Sequence, residues 1–482
     1  MKKRLVVFVL AASVASVAAC GDSSFGSANG ADGGDDDGSN SVTGGRADGG
    51  SDDASAEDAS ADASSMADVP CVPETADATV GFFVDHNSTA GVTCGDVTAP
   101  CKTIQPAIDL IPTIAGKSVV YVALGTYVEN ITLKPGVTIK GGWKNTGATF
   151  SRACSANPAG GVVIQAPTSN VTLKVASLGG SATLDTLTLS SRIAPAAPGE
   201  SMYGIFATGA STTLRLDNVV VQTARAGSAN PVAPAGSGTH SCAAASTGAS
   251  GAPASGVAPA ASAGSYSLAG YTPGAGNAGP PGNAGENGAQ GQPATGSQCV
   301  SGWPGCDEGA CMFTGSNTTS CAGPGTPGCG GPPGLGGGGG GGGGSSLGVF
   351  AWGATVSASA SSITAGAGGA GAQGGSGGPA STGGSGGRQQ TSLYYDCSDP
   401  LMKGTCPNVF MHTSSSASAG SAGGNGSAGL AGGGGPGGDS YAVYKGLGAT
   451  FAGTTTHLAA GVASGVSAGN PPGPGGTSAQ SN

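Results

Sequence analysis

One short segment occurs three times along the chain, and its return constrains the fold more than any other feature. Tyr203-Gly204-Ile205-Phe206-Ala207 reappears as Leu347-Gly348-Val349-Phe350-Ala351 and again as Tyr441-Ala442-Val443-Tyr444-Lys445. A small-residue turn and a second strand-like stretch follow each copy, at 213–216, 355–358 and 450–453. A third stretch closes each unit, at 219–222, 362–365 and 457–460.

Three short strands in about twenty residues make the length of one coil of a parallel β-helix. Such coils bury their inward side chains only against the coils above and below, so the copies should stack. The first two copies lie 144 residues apart and the next two 94 apart, so the residues between them must be insertions. Each insertion begins after a third strand, at Ala224-Arg225-Ala226-Gly227 and Gly366-Ala367-Gly368-Gly369, and ends just before the next coil. The smaller interruptions at 141–161 and 190–202 are assigned to the same corner. Loop closure grows only logarithmically with length, so long excursions from one edge are permissible. The fold class expected is therefore all-β: a short right-handed parallel β-helix of about five coils with long Gly-rich insertions from one edge.

Upstream of the first copy, apolar residues at 104, 107, 108 and 111 mark one face of a helix, with Pro106 in its first turn. This helix should cap the N-terminal end. Strands are expected at 119–123, 130–133, 137–140, 162–165, 171–175, 182–184 and 187–189, separated by Gly and Pro turns. The domain plan is a signal segment at 1–19, a linker at 20–70, and a cap with first coils at 71–222. An insertion at 223–346, a coil at 347–365, a second insertion at 366–440, a last coil at 441–465 and a tail at 466–482 complete it.

Inside the insertions Gly, Ala, Ser and Pro dominate, with nine consecutive glycines at 336–344. Glycine also recurs at 276, 279, 282, 285, 288 and 291, a three-residue period that favours a polyproline-type helix. A collagen triple helix is excluded by the brevity of the run and the need for three chains. The composition favours flexible loops. The alternative is extended Gly-rich strands packed side by side and fixed by disulfides. No GxxxxGK[ST] occurs, so the polyglycine does not read as a phosphate loop.

The N-terminus sets the compartment. Lys2, Lys3 and Arg4 precede an apolar stretch from Leu5 to Ala19, a secretory-signal layout too short to span a bilayer. It ends in Val17-Ala18-Ala19-Cys20, which resembles the lipobox of bacterial lipoproteins, although Val17 stands where leucine is more usual. The resemblance implies a lipid on Cys20. Gly21 in place of Asp implies the outer membrane or cell surface rather than retention at the inner membrane. The net charge of −10 argues against nucleic acid as a partner. Much of the acidity lies between Asp22 and Asp68, in a stretch with almost no large apolar residue, which reads as a disordered tether rather than a calcium site.

Twelve cysteines remain beside Cys20, an even number that in an exported chain reads as disulfides. Cys94 with Cys101, and Cys397 with Cys406, are close enough to close loops. Cys242, Cys299, Cys306, Cys311, Cys321 and Cys329 form a cluster of three bridges, leaving Cys71 for Cys154. No C-x-x-C occurs, and His86, His240, His412 and His457 are scattered, so no metal or cofactor is expected.

Residues 94–142 carry Cys101-Lys102-Thr103-Ile104-Gln105-Pro106-Ala107-Ile108 and Gly125-Thr126-Tyr127-Val128-Glu129-Asn130-Ile131. These strings resemble the N-terminal cap and first coils of pectin-lyase-like right-handed parallel β-helix proteins. The whole chain resembles surface lipoproteins of myxobacterial type with PE-PGRS-like Gly-rich insertions. Many pectin-lyase-like proteins are polysaccharide lyases or hydrolases, which places carboxylates under scrutiny. Asp185 and Asp217 occupy equivalent positions between second and third strands, and are read as turn residues accepting backbone hydrogen bonds. No G-x-S-x-G or H-E-x-x-H is present, and Thr454-Thr455-Thr456 is too short for a flat threonine array. Trp143, Trp303 and Trp352 are the candidates for stacking on sugar. The reading reached is a non-catalytic surface lipoprotein with a structural, adhesive or matrix-contact role, touching the membrane through its lipid and surface polysaccharide or matrix through its loops. The alternatives are a polysaccharide-active enzyme or a passive carbohydrate-binding module.

Overall fold

Among the described residues, short Val-, Leu- and Thr-rich runs between Gly and Pro turns become strands. The computed structural model describes residues 74–91, 93–153, 161–239, 249–292, 300–301, 319–320, 324–388, 393–395, 411–413, 418–465 and 467–482. The N-terminal part holds β1 (Gly81–Val84), β2 (Val119–Ala123), β3 (Gly125–Val128), β4 (Ile131–Thr132), β5 (Thr138–Asn145) and β6 (Phe150–Arg152). It continues with β7 (Val162–Gln165), β8 (Val171–Ala176), β9 (Ser181–Ser190), β10 (Met202–Thr208) and β11 (Thr213–Gln222). Short pieces follow at β12 (Ser265–Ser267), β13 (Gly270–Thr272), β14 (Val300–Ser301) and β15 (Thr319–Ser320). Then come β16 (Ser346–Trp352), β17 (Thr355–Ser359), β18 (Ser362–Thr364), β19 (Leu393–Tyr395) and β20 (Met411–Thr413). The last are β21 (Ser440–Lys445), β22 (Thr450–Thr454), β23 (His457–Ala459) and β24 (Ser478–Ser481). Among the described residues, the helical elements are α1 (Ile104–Leu110) and a 3-10 turn at Ile111–Thr113.

The protein is all-β, with most of its strands in parallel sheets. One twelve-stranded sheet contains the order β1-β2-β5-β9-β11-β17-β22, and a six-stranded sheet runs β24-β21-β16-β10-β8-β4. The three copies of the repeat stack in register, with Tyr203 opposite Leu347 and Leu347 opposite Tyr441. Their second strands pair Thr213 with Thr355 and Thr355 with Thr450, and their third strands pair Val220 with Ser362 and Ser362 with His457.

Inward side chains form three ladders that share one core. Val120, Ile139, Leu184, Leu216 and Ala358 descend one face, and Ile131, Leu173, Ile205, Val349 and Val443 a second. Tyr127, Ile164, Leu189, Val221 and Ile363 descend the third. Apart from Ala358, Tyr127 and Ile131, each is fully buried, worth about 1.5–3 kcal/mol for a large aliphatic side chain. A stack of this kind needs every rung to present an apolar residue at the same position, which is why the repeat is visible in the sequence at all.

The N-terminal end is closed. Helix α1 lays Ile104, Ala107 and Ile108 onto the core. Thr103 at its start makes no side-chain cap, and the Glu129 carboxylate accepts the amides of Ile104 (2.7 Å) and Gln105 (2.9 Å) instead. The loop closed by the Cys94–Cys101 disulfide pairs with the outer edge of β1: Phe83 donates to Gly95, Cys101 to Phe83, and Asp85 to Cys101. The Gln105 amide does the same for β4, accepting the Thr132 N–H at 2.8 Å and donating to its carbonyl.

Two expectations are corrected. The excursion at 141–161 leaves between a second and a third strand, since β5 pairs through Lys140 with Asp185 whereas β7 pairs with Thr188–Ser190. It therefore sits at a different corner from the long insertions. Its chain folds back as the antiparallel pair β5–β6 and buries Trp143 among Phe83, Tyr121 and Phe150, under Arg152. The separate strands expected at 182–184 and 187–189 form the single strand β9, bent at Thr186.

Candidate functional site

The carboxylates singled out by the sequence are brought together at a turn. Asp185 and Asp217 lie in register on neighbouring strands, each followed by a residue in the left-handed region, Thr186 at φ 57° and Asn218 at φ 54°. Ala360 (φ 46°) and Thr455 (φ 48°) continue the same column of turns. Asp185 accepts from the Thr186 hydroxyl at 2.6 Å and stands 3.8 Å from Arg152. Asp217 accepts from Ser359 at 2.8 Å and stands 3.5 Å from Arg215. Both carboxylates sit at the stacked turns, but their partners are the side chains of Thr186, Arg152, Ser359 and Arg215 rather than the backbone N–H groups expected of turn aspartates.

The long insertions are not flexible loops where they are described. Residues 276–291, 325–343, 369–387 and 418–438 run as extended segments cross-linked by main-chain hydrogen bonds at a three-residue period, and 226–238 joins them through donors at 226, 229, 235 and 238. Gly276, Gly279, Gly282, Gly285, Gly288 and Gly291 donate in turn to the carbonyls of 340, 337, 334, 331, 328 and 325. The 325–343 segment donates at the same period to 418–436, and 418–433 donates back to 277–292. Segments 369–387 and 420–438 close the lattice, and 226–229 joins its base at Ala367 and Ala370. This is a bundle of polyproline-type helices, which satisfy one another because such a helix has no internal hydrogen bonds.

Glycine is required where a Cβ would run into a neighbouring main chain, although Ala, Ser and Leu also occupy hydrogen-bonded positions of the lattice. A Cβ on Gly331 would lie 2.2 Å from the Ser381 carbonyl oxygen, and one on Gly429 would lie 2.1 Å from that of Leu335. The nine-glycine run falls where segment 325–343 is surrounded. Gly336 faces 279, Gly337 faces 375, and Gly338 meets Val232 on the remaining side. Further out the third position opens and Leu335 is exposed. From 343 to 325 the segment rises about 55 Å at the polyproline pitch. The bundle leaves the strand stack beside Glu200, Gly227, Gly344, Gly369 and Gly438, whose main chains are bonded to one another. Its surface is almost without charge: across 226–239, 249–292, 324–388 and 418–438 only Glu286 and Arg388 are ionic.

The outer face of the six-stranded sheet carries a feature that inward-core reasoning missed. Phe206, Phe350 and Tyr444 are in register and stack, with centroids 4.8 and 5.7 Å apart. The β12–β13 hairpin, which belongs to the first insertion, folds over this column. Tyr266 stacks on Tyr444 at 3.8 Å and donates to Asp439 at 2.6 Å, and the Tyr203 hydroxyl accepts the Tyr271 amide at 2.9 Å. Burial and then the nearby Asp439 carboxylate push the Tyr266 phenol far up and Tyr271 to about 12. A cleft of about 590 Å³ remains between hairpin and sheet, lined by Lys174, Phe206, Glu200, Tyr203, Leu268 and Asn170 among others. The signal available in the sequence was the aromatic at the fourth position of each repeat, Phe206, Phe350 and Tyr444.

Trp143 is fully buried and Trp352 is half-buried against Phe350, so these two cannot share a sugar-stacking platform. Trp303 lies outside the described residues. Cys94–Cys101 is a disulfide, and Cys329 is disulfide-bonded. Cys20, Cys71, Cys154, Cys242, Cys299, Cys306, Cys311, Cys321, Cys397 and Cys406 lie outside the described residues, as do the signal segment and linker. No group of metal-ligating side chains occurs among the described residues, and no helix among them is long and apolar enough to cross a membrane. No family model, no curated protein and no solved structure matches the chain.

Proposed function

We propose that the chain is a non-catalytic surface lipoprotein with an adhesive or matrix-contact role, in which a right-handed parallel β-helix carries a Gly-rich bundle as a spacer. The observation that carries this reading is the main-chain lattice of the bundle. An ordered excursion held by its own hydrogen bonds keeps its far end at a set distance from the strand stack, which a flexible loop would not do. The stretches 293–323 and 389–417 contain Cys299, Cys306, Cys311, Cys321, Cys397 and Cys406, a cysteine density that in an exported chain reads as disulfides. Attachment through Cys20 would place this spacer at the cell surface.

Cells producing the chain, Cys20→Ala and Gly331→Val are compared for surface retention and for binding to matrix-coated beads. Cys20→Ala should release the protein. Gly331→Val should leave it at the surface and reduce bead binding at least tenfold. Undiminished binding by Gly331→Val would sink the spacer role.

A second reading, passive carbohydrate binding, is favoured by the cleft beside Phe206, where an aromatic ring adjoins Lys174, Asn170 and Glu200. Retention of the chain on a glycan column that disappears with Phe206→Ala and Lys174→Ala would support it. Cleavage of a polysaccharide panel lost on Asp185→Ala and Asp217→Ala would instead overturn the non-catalytic proposal.

A further inference from the structure

The two ends of the strand stack are finished in opposite ways. At the N-terminal end the edge of β1 is paired by the 94–101 loop, the edge of β4 is met by the Gln105 amide, and α1 covers the core. At the other end, among the described residues, β22 pairs with β17 alone and β23 with β18 alone. Thr450 donates toward β17 and Thr454 accepts from that side, so strand alternation turns the main-chain groups of Phe451 and Gly453 outward from the stack. Phe451, paired with Val356, and Leu458, paired with Ile363, are half-buried against the core, and Leu447 and Val462 near them in the chain are 80% and 78% exposed.

Exposed strand edges are ordinarily blunted by Lys, Pro, a bulge or a covering segment. None of these devices occurs within β22 or β23, and residues 446–482 contain no Asp, Glu, Lys or Arg. The acidic stretch between Asp22 and Asp68 is a poor cover for this edge, being charged and nearly devoid of β-branched and aromatic residues. A second β22 is a good one. In an antiparallel two-fold arrangement centred on Ala452, Phe451 of one copy falls opposite Gly453 of the other, and these are the residues whose main-chain groups face out. Two uncharged ends also meet without repulsion.

We propose that the chain self-associates end to end, two copies pairing through β22 with Phe451 and Leu458 closing over each other. The test uses the full-length chain carrying Cys20→Ala, so that lipid-driven association is absent. Sedimentation velocity over a wide concentration range should show the mass rising toward twice that of the monomer. Ala452→Lys, whose exposed side chain places two like charges at the axis, should hold the protein monomeric with an unchanged melting temperature. Amide exchange at 450–459 should slow with concentration while that at 119–123 does not. A monomer at every concentration, or association undiminished by Ala452→Lys, would overturn the proposal. So would concentration-independent protection of 450–459, which would mean that the chain covers this edge itself.

Discussion

At the level of single residues, the bundle obeys a rule unlike that of an apolar core. A side chain is tolerated where a segment faces solvent and excluded where it faces another main chain. Gly429→Ala places a methyl group 2.1 Å from the Leu335 carbonyl, closer than any real contact, and overpacking of this kind costs about 1–3 kcal/mol. The neighbouring Ala428 is exposed, and Ala428→Val should stay within about 0.5 kcal/mol of the parent in chemical denaturation. Equal effects from both would argue against the lattice. Trp143 offers a different case, since its indole N–H is buried without an acceptor. Trp143→Phe removes that orphan along with some volume, and should cost less than half of the about 3–5 kcal/mol expected for Trp143→Ala in thermal melts.

Among the elements, α1 and the β12–β13 hairpin each have a carboxylate among their anchors, Glu129 and Asp439. Burial raises the Glu129 carboxyl above its ordinary value, against the opposing pull of the two amides it accepts. A carboxyl raised on folding takes up its proton more readily in the folded chain. The contribution of this group is therefore largest at acid pH and declines as pH rises through the folded value. Glu129→Gln keeps an acceptor for α1 and should flatten the decline in stability that begins above the ordinary carboxyl range, whereas Glu129→Ala should weaken the cap at every pH. For the hairpin, Tyr266→Phe loses the 2.6 Å bond to Asp439 and is expected to cost about 1.5–3 kcal/mol, read as faster proteolysis near residue 268. The strands themselves were legible, because Ile205, Val349 and Val443 must all fill one ladder and so repeat at one position. The helix at 104–110 was legible for the same reason. The corner used by 141–161 was not, since nothing in its composition separates one turn of a coil from the next. The hairpin was not legible either, because Tyr266 and Tyr271 find their partners across a distance no local period reveals.

Taken whole, the molecule joins two kinds of interior. The strand stack buries aliphatic side chains, whereas the bundle buries amide groups and little else. Exposure of apolar surface raises heat capacity on unfolding and exposure of polar surface lowers it. Calorimetry should therefore give a value per residue well below the usual range of about 12–15 cal/mol/K. A value inside that range would mean that the bundle hides more apolar surface than its glycines allow. The sequence pointed to this second interior through its three-residue glycine period, yet Gly-rich composition also describes a flexible tether. Only the reciprocal positions, such as Gly276 against 340 and Gly340 against 433, distinguish the two.

The same reciprocity governs how such a bundle can change in size. A single added residue in 325–343 would turn every glycine beyond it away from its partners. Three added residues would preserve the facing, but only if the segments alongside gain three as well. Height is therefore quantised: the arm lengthens or shortens by whole triplets, about 9 Å at a time, inserted in concert across its members. Meanwhile the outward third of each triplet stays open to substitution, so reach and surface chemistry can vary independently of each other.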